Sequence, residues 1–160
     1  MYKLILSTLI FYLLMSCEDT GSIRRDKDIL NGWDIGEEIK FVINDTIDYT
    51  SNISFYVRNN NDYPFSNIFL IASLKSNQKI YEVDTLEYLM ADTKGQWLGK
   101  GFSDIKESKL LWKKSWKPLF PPPYTIEIRQ ANRKIGQING DKYLLGILSL
   151  GLSIEKISNE

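Results

Sequence analysis

The strongest constraint on the fold is a period of two in side-chain polarity. Ile53, Phe55 and Val57 alternate with Ser54, Tyr56 and Arg58, and Ile126 and Ile128 alternate with Thr125, Glu127 and Arg129. Leu148, Leu150, Leu152 and Ile154 alternate in the same way with Ser149, Gly151, Ser153 and Glu155. Successive side chains of a strand point to opposite faces, so each segment reads as a half-buried strand with one face on a core. Residues 68–74 form a mostly apolar run and residues 79–83 a further short strand. Asn59, Asn60 and Asn61 tolerate left-handed backbone, and Tyr63-Pro64 stops a central ladder, so a connecting loop belongs there. Ser76-Asn77 supplies the next turn. Only residues 85–91 and 141–145 offer even a short helical turn. Short strands with Asn, Gly and Pro punctuation and no long amphipathic helix predict an all-β fold, a single antiparallel β-sandwich domain.

The first residues read as a bacterial lipoprotein signal. Lys3 is a short positive n-region, residues 4–15 are an apolar run, and Leu14-Met15-Ser16 precede the only cysteine, Cys17. Cleavage there would make Cys17 the mature N-terminus, carrying lipid on its sulfur and commonly on its amine. Each buried methylene contributes roughly 0.8 kcal/mol, so two or three acyl chains hold a protein on a membrane without a transmembrane helix. The apolar run is shorter than the roughly 20 residues a span needs. The predicted organisation is a signal peptide over residues 1–16, a lipidated N-terminus and polar tether over 17–32, and the sandwich over 33–160.

Removing the signal leaves 160 − 16 = 144 residues, a one-domain length. With 43% hydrophobic residues such a chain can bury a core without a disulfide, for which no second cysteine exists. The formal charge of 20 − 20 becomes 19 − 20 once Lys3 is lost, which gives no basic footprint for nucleic acid. Histidine is absent altogether, so Ser-His-Asp and Cys-His catalysis and His-containing zinc sites are excluded. No cofactor or metal is expected. Carboxylate chemistry is the main enzymatic route left, with Asp84, Asp92 and Asp104 the best-placed candidates. Structural roles are favoured for them. Asp84 precedes Thr85 in a helix-capping position, and Asp92 precedes Thr-Lys-Gly in a turn.

Residues 109–124, KLLWKKSWKPLFPPPY, combine four lysines, two tryptophans and a proline run. The stretch reads either as a basic aromatic loop for glycan, lipid headgroup or protein, or as a long connection whose tryptophans close one end of the sandwich. Gly95, Gly99 and Gly101 around Trp97 lack the order of a phosphate loop. They mark bends with positive φ or close backbone approach, with Trp97 either anchoring the bend or facing a partner. Trp97, Trp112 and Trp116 are the candidate contact residues.

The block at residues 84–92, DTLEYLMAD, followed by Gly95-Gln96-Trp97-Leu98-Gly99-Lys100-Gly101, resembles the signature region of the gliding-motility lipoprotein GldH family of Bacteroidetes. Arg58-Asn59 leading to Tyr63-Pro64-Phe65-Ser66-Asn67-Ile68, and the segments 124–133 and 145–152, resemble its other parts in the same order. The resemblance implies a non-enzymatic, lipid-anchored envelope protein, expected at the outer membrane. It also implies a link to type IX secretion, with other gliding and secretion lipoproteins and the envelope-spanning motor or secretion complex as partners, and the membrane reached through the N-terminal lipid. The alternative from a different class is a surface lipoprotein that stacks glycans on Trp97, Trp112 and Trp116.

Overall fold

The computed structural model describes residues 21–157 except Gln78 and Ile135. Cys17 and the signal segment lie outside the described residues. The described residues form ten strands: β1 (Ile23–Asp28), β2 (Trp33–Asp34), β3 (Ile39–Ile43), β4 (Ser51–Asn59), β5 (Asn67–Ser76), β6 (Lys79–Leu89), β7 (Lys106–Trp116), β8 (Tyr124–Gln130), β9 (Tyr143–Leu144) and β10 (Ile147–Lys156). They assemble as two four-stranded sheets, β1-β10-β4-β7 and β3-β8-β5-β6, with a small β2-β9 pair. Each pairing between these strands is antiparallel. This is the all-β sandwich the alternation predicts.

The core follows from that alternation. Ile53, Phe55 and Val57 sit opposite Ile154, Leu152 and Leu150 across the β4-β10 ladder, and these six side chains are buried. Leu70, Ala72 and Leu74 of β5 likewise sit opposite Gln130, Ile128 and Ile126 of β8. A single hydrophobic cluster joins both sheets, and burying such side chains contributes about 1.5–3 kcal/mol each.

Four local expectations are corrected. The polar stretch read as tether contains β1, which pairs with β10 from Ile23↔Ile154 to Asp28↔Ser149, so the sheet begins ahead of Trp33. β1 reads as a tether because only its first residue is apolar; as an edge strand it needs little else. Residues 85–91 are not a helical turn but the continuation of β6 through Leu89, on which Asp84, Leu86 and Tyr88 are half-buried and Thr85, Glu87 and Leu89 exposed. The short turn placed at residues 141–145 is instead β9, held by Trp33↔Leu144 and Asp34↔Tyr143. Most of the stretch read as a loop from residue 109 is strand β7, and the ladder stops only at Trp116, two residues before Pro118.

The connections sort to two ends. Residues 21–22, the 44–50 loop, the β5-β6 turn, the 117–123 loop and the end of β10 lie together. The register shows it, placing Ile23 beside Ile154 and Ser51 beside Lys156 and Trp116. Tyr124 pairs with Ile43 and Ser76 on the other sheet at the same end. The loops holding Tyr63, Trp97 and residues 131–142 occupy the opposite end.

Candidate functional site

Three places carry chemistry, and the three candidate tryptophans fall one in each. At the end where the described chain begins, the 117–123 loop crosses from one sheet to the other. Phe120 stacks on Tyr81 at 3.7 Å between ring centroids and lies 5.8 Å from Tyr124, whose ring Trp116 meets edge-on at 5.8 Å. The Ser76 hydroxyl donates to the Pro121 carbonyl at 2.8 Å. These contacts clamp the loop and leave Leu119 at its tip 94% exposed, with Lys114 and Lys117 in solvent beside it.

Midway along the sandwich, β7 slips register against β4: Leu111 pairs with Ser54 but Lys113 with Ile53, and Trp112 is the extra residue. The bulge aims Trp112 at the core, where it is 8% exposed and stacks on Phe55 at 5.2 Å. Its indole Nε1 donates to Asp84 Oδ2 at 2.8 Å, and Lys113 donates to Asp84 at 2.6 Å and to Glu82. Burial pushes the Asp84 carboxyl up, but the hydrogen bonds from Lys113 and Trp112 and the lysine charge outweigh it and hold it below its ordinary value. Such a carboxylate is a poor general acid. Asp84 therefore ties the edge of one sheet to the edge of the other instead of capping a helical turn. Tyr88 adds a second tie by donating to the Leu111 carbonyl at 2.7 Å, and burial pushes its hydroxyl up to about 12.

At the far end Trp97 is half-buried, 6.0 Å from the Tyr63 ring, and donates to Asn61 Oδ1 at 3.0 Å. The bend around it is built as its glycines require. Asp92 Oδ1 accepts from the backbone N–H of Lys94 and Gln96 at 2.8 Å each, Gly95 takes φ of 79°, and a Cβ on Gly101 would lie 2.2 Å from the Ile105 carbonyl oxygen. Nearby, an open groove of about 890 Å³ is lined by Phe65, Phe69 and Ile138 together with Arg133 and Lys134. A buried polar network fixes its wall. Asn132 donates to the Tyr63 hydroxyl at 3.3 Å and to the Asn67 carbonyl at 3.2 Å, and accepts from the Phe69 N–H at 2.9 Å. Gln130 holds the returning chain through the Asp141 carbonyl at 2.8 Å. Sequence reasoning missed Gln130 and Asn132, whose only signal is two amides where a strand ends.

The comparisons with known proteins bear on the whole of this arrangement. A sequence model described as GldH lipoprotein matches residues 23–154. The chain belongs to the GldH lipoprotein family. The "Gliding motility lipoprotein GldH homolog" of Christiangramia forsetii is 39% identical over 149 residues, covering 92% of this chain and 91% of its own. The "Gliding motility lipoprotein GldH" of Flavobacterium johnsoniae is 39% identical over 146 residues, covering 90% of each. A solved structure, the infectious bursal disease virus VP2 subviral particle, aligns with a TM-score of 0.27 at 13% identity over 86% of this chain and 40% of its own, too distant to carry an argument. The GldH match starts at Ile23 and stops at Ile154, two residues that face each other across β1 and β10. The unit shared with the GldH family thus includes β1.

Within this GldH-family domain the tryptophans do not form one surface. Trp116 and Trp97 stand at opposite ends and Trp112 is in the core between them, which corrects its placing among exposed contact residues. A stacking platform for glycan built from all three is not assembled. Among the described residues no group of three or more Cys, Asp or Glu side chains is spaced to hold a metal ion.

Proposed function

We propose that the chain is a lipid-anchored, non-catalytic assembly component of the gliding-motility apparatus, held at the outer membrane through Cys17 and working with the type IX secretion machinery. The observation that carries this reading is 39% identity with gliding-motility lipoproteins over about nine-tenths of both chains. The lipoprotein signal ending at Cys17 supports anchoring. A binding role gains support from the carboxylates: Asp84 is committed to Lys113 and Trp112, and Asp92 to its own turn. The far end, with Trp97 and the cationic groove, is where other gliding and secretion lipoproteins dock.

The test pairs two measurements. Cys17→Ala should release the protein from the membrane fraction and abolish colony spreading; normal spreading by a released variant would sink the proposal. Purification of the lipidated protein from its own envelope, followed by mass spectrometry, should recover gliding or secretion lipoproteins. Recovery of polysaccharide-uptake components in their place would favour the glycan reading.

A further inference from the structure

The anchor proposed above decides which part of the sandwich can meet the bilayer. Gly21 is pinned to the domain, because the Tyr49 hydroxyl donates to its carbonyl at 3.0 Å. From Cys17 to Gly21 the chain has four peptide units, which span at most about 14 Å. β7 alone, from Lys106 to Trp116, runs roughly 33 Å at strand rise. A lipid on Cys17 therefore keeps the Gly21 end against the membrane and leaves the Trp97 end a sandwich length away when the domain stands upright.

The end so held has the chemistry of a membrane-surface contact. Among the described residues Lys79, Lys114, Lys117 and Lys156 are exposed there, against the exposed carboxylates Asp45 and Asp48, while Glu18 and Asp19 belong to the short segment between Cys17 and Gly21. The carboxylates of Glu82 and Glu155 are already engaged, by Lys113 and Lys109. Apolar Leu119 projects from a loop whose neighbours Trp116, Phe120 and Tyr81 are aromatic, the residue mix that sits at the headgroup level. Phe120 and Pro121 are fixed to the second sheet, and Leu119 beside them stands 94% exposed at the loop's tip.

We propose that the 117–123 loop is a second, non-covalent membrane contact. Leu119 enters the headgroup layer and Lys114 and Lys117 lie over the phosphates of anionic phospholipid, so that the domain stands with its Trp97 end outward. The inference rests on lipidation of Cys17 but adds an orientation that lipidation alone does not impose, since a tethered domain is otherwise free to tumble. Basic residues near an anionic surface each favour docking, and here they act at the high local concentration the anchor provides.

The experiment uses the mature lipidated protein in vesicles of phosphatidylethanolamine and phosphatidylglycerol. Cys17 is the only cysteine and its sulfur is consumed by lipid, so Leu119→Cys introduces a single thiol for an environment-sensitive fluorophore. Ile138→Cys, 95% exposed at the far end, is the matched control. Quenching by headgroup-proximal spin-labelled lipid should be several-fold stronger at position 119 than at 138. Adding Lys114→Glu and Lys117→Glu should lower the docked-to-undocked ratio by at least about fivefold per lysine, the effect of losing one positive charge. Equal quenching at both positions, or no sensitivity to the charge reversals, overturns the orientation while flotation of the protein with the vesicles preserves the anchor. Failure to float overturns both.

Discussion

Trp112 shows how one side chain can be misassigned by its neighbours in sequence and corrected by its neighbours in space. Flanked by lysines, it reads as part of an exposed patch, yet the β7 bulge turns it onto Phe55 and gives its N–H to Asp84. Trp112→Ala should cost about 3–5 kcal/mol in urea unfolding, as expected for deleting a buried indole. Trp112→Phe keeps a ring on Phe55 and should cost less, about 1.5–3 kcal/mol, chiefly the lost hydrogen bond to the charged Asp84 carboxylate. The carboxylates add a pH dependence. Asp84, Glu127 and Glu155 are each pushed up by burial but held below their ordinary values by hydrogen bonds and by Lys113, by Lys75 and Lys40, and by Lys109 respectively. Groups depressed in the folded state contribute stability that is full above the unfolded value, about pH 4, and is lost as pH falls through the folded values. Thermal melts should therefore hold level from neutral pH down to about 5 and drop in stronger acid, with a shallower drop in Asp84→Asn. A melting temperature unchanged into strong acid would contradict these pairings.

At the scale of elements, the edges carry the interest. The two sheets meet along β6 and β7, where Lys113 and Tyr88 bridge a gap that backbone pairing does not close. The 97–107 bend returns the chain to β7 through Lys100↔Glu107, and it is tight enough that Gly101 has no room for a side chain. Gly101→Ala should cost about 1–3 kcal/mol by forcing that backbone apart, read as a lower urea midpoint. β1 is the opposite case, an edge made almost wholly of charged residues, which discourages pairing with another chain. Its removal should uncover β10, whose side chains alternate Leu150, Leu152 and Ile154 with small residues. The shortened chain is expected to unfold at lower urea and to self-associate with rising concentration in gel filtration.

Over the whole molecule the consequence is polarity between two ends. Chain entry at Gly21 and the basic, Leu119-tipped loop share one end, while the groove of Phe65, Phe69, Arg133 and Lys134 and the half-buried Trp97 occupy the other. Substitutions at the two ends should therefore separate. Arg133→Glu with Lys134→Glu should weaken capture of the partner lipoproteins proposed above without altering membrane retention, and should lower the melting temperature only slightly, because both side chains are exposed and the ion pair lost is Lys134 with Asp141 at 3.8 Å. Loss of membrane retention in that variant would argue against the division of labour.

The alternating segments were legible because burial of one face leaves a two-residue period in the sequence, and the core of Ile53, Phe55, Val57, Ile126, Ile128, Leu150, Leu152 and Ile154 follows from it. The turn chemistry at Asp92 and the glycine bend was legible for the same local reason: backbone geometry there dictates residue type. Edge strand β1 and the continuation of β6 past Val83 were not, since a strand covered on one side only, or capped by side chains, has no need of a strong apolar pattern. The Gln130-Asn132-Tyr63 network escaped because its partners are far apart in the chain and an amide reveals nothing about burial. Sequence by itself determined the alternating core strands and the absence of histidine chemistry, both set by local composition and period. Only the tertiary structure decided that Trp112 is inside, that Trp97 and Trp116 stand apart, and that the basic loop shares an end with Gly21, because register and sheet packing are properties of pairs of strands and not of any one segment.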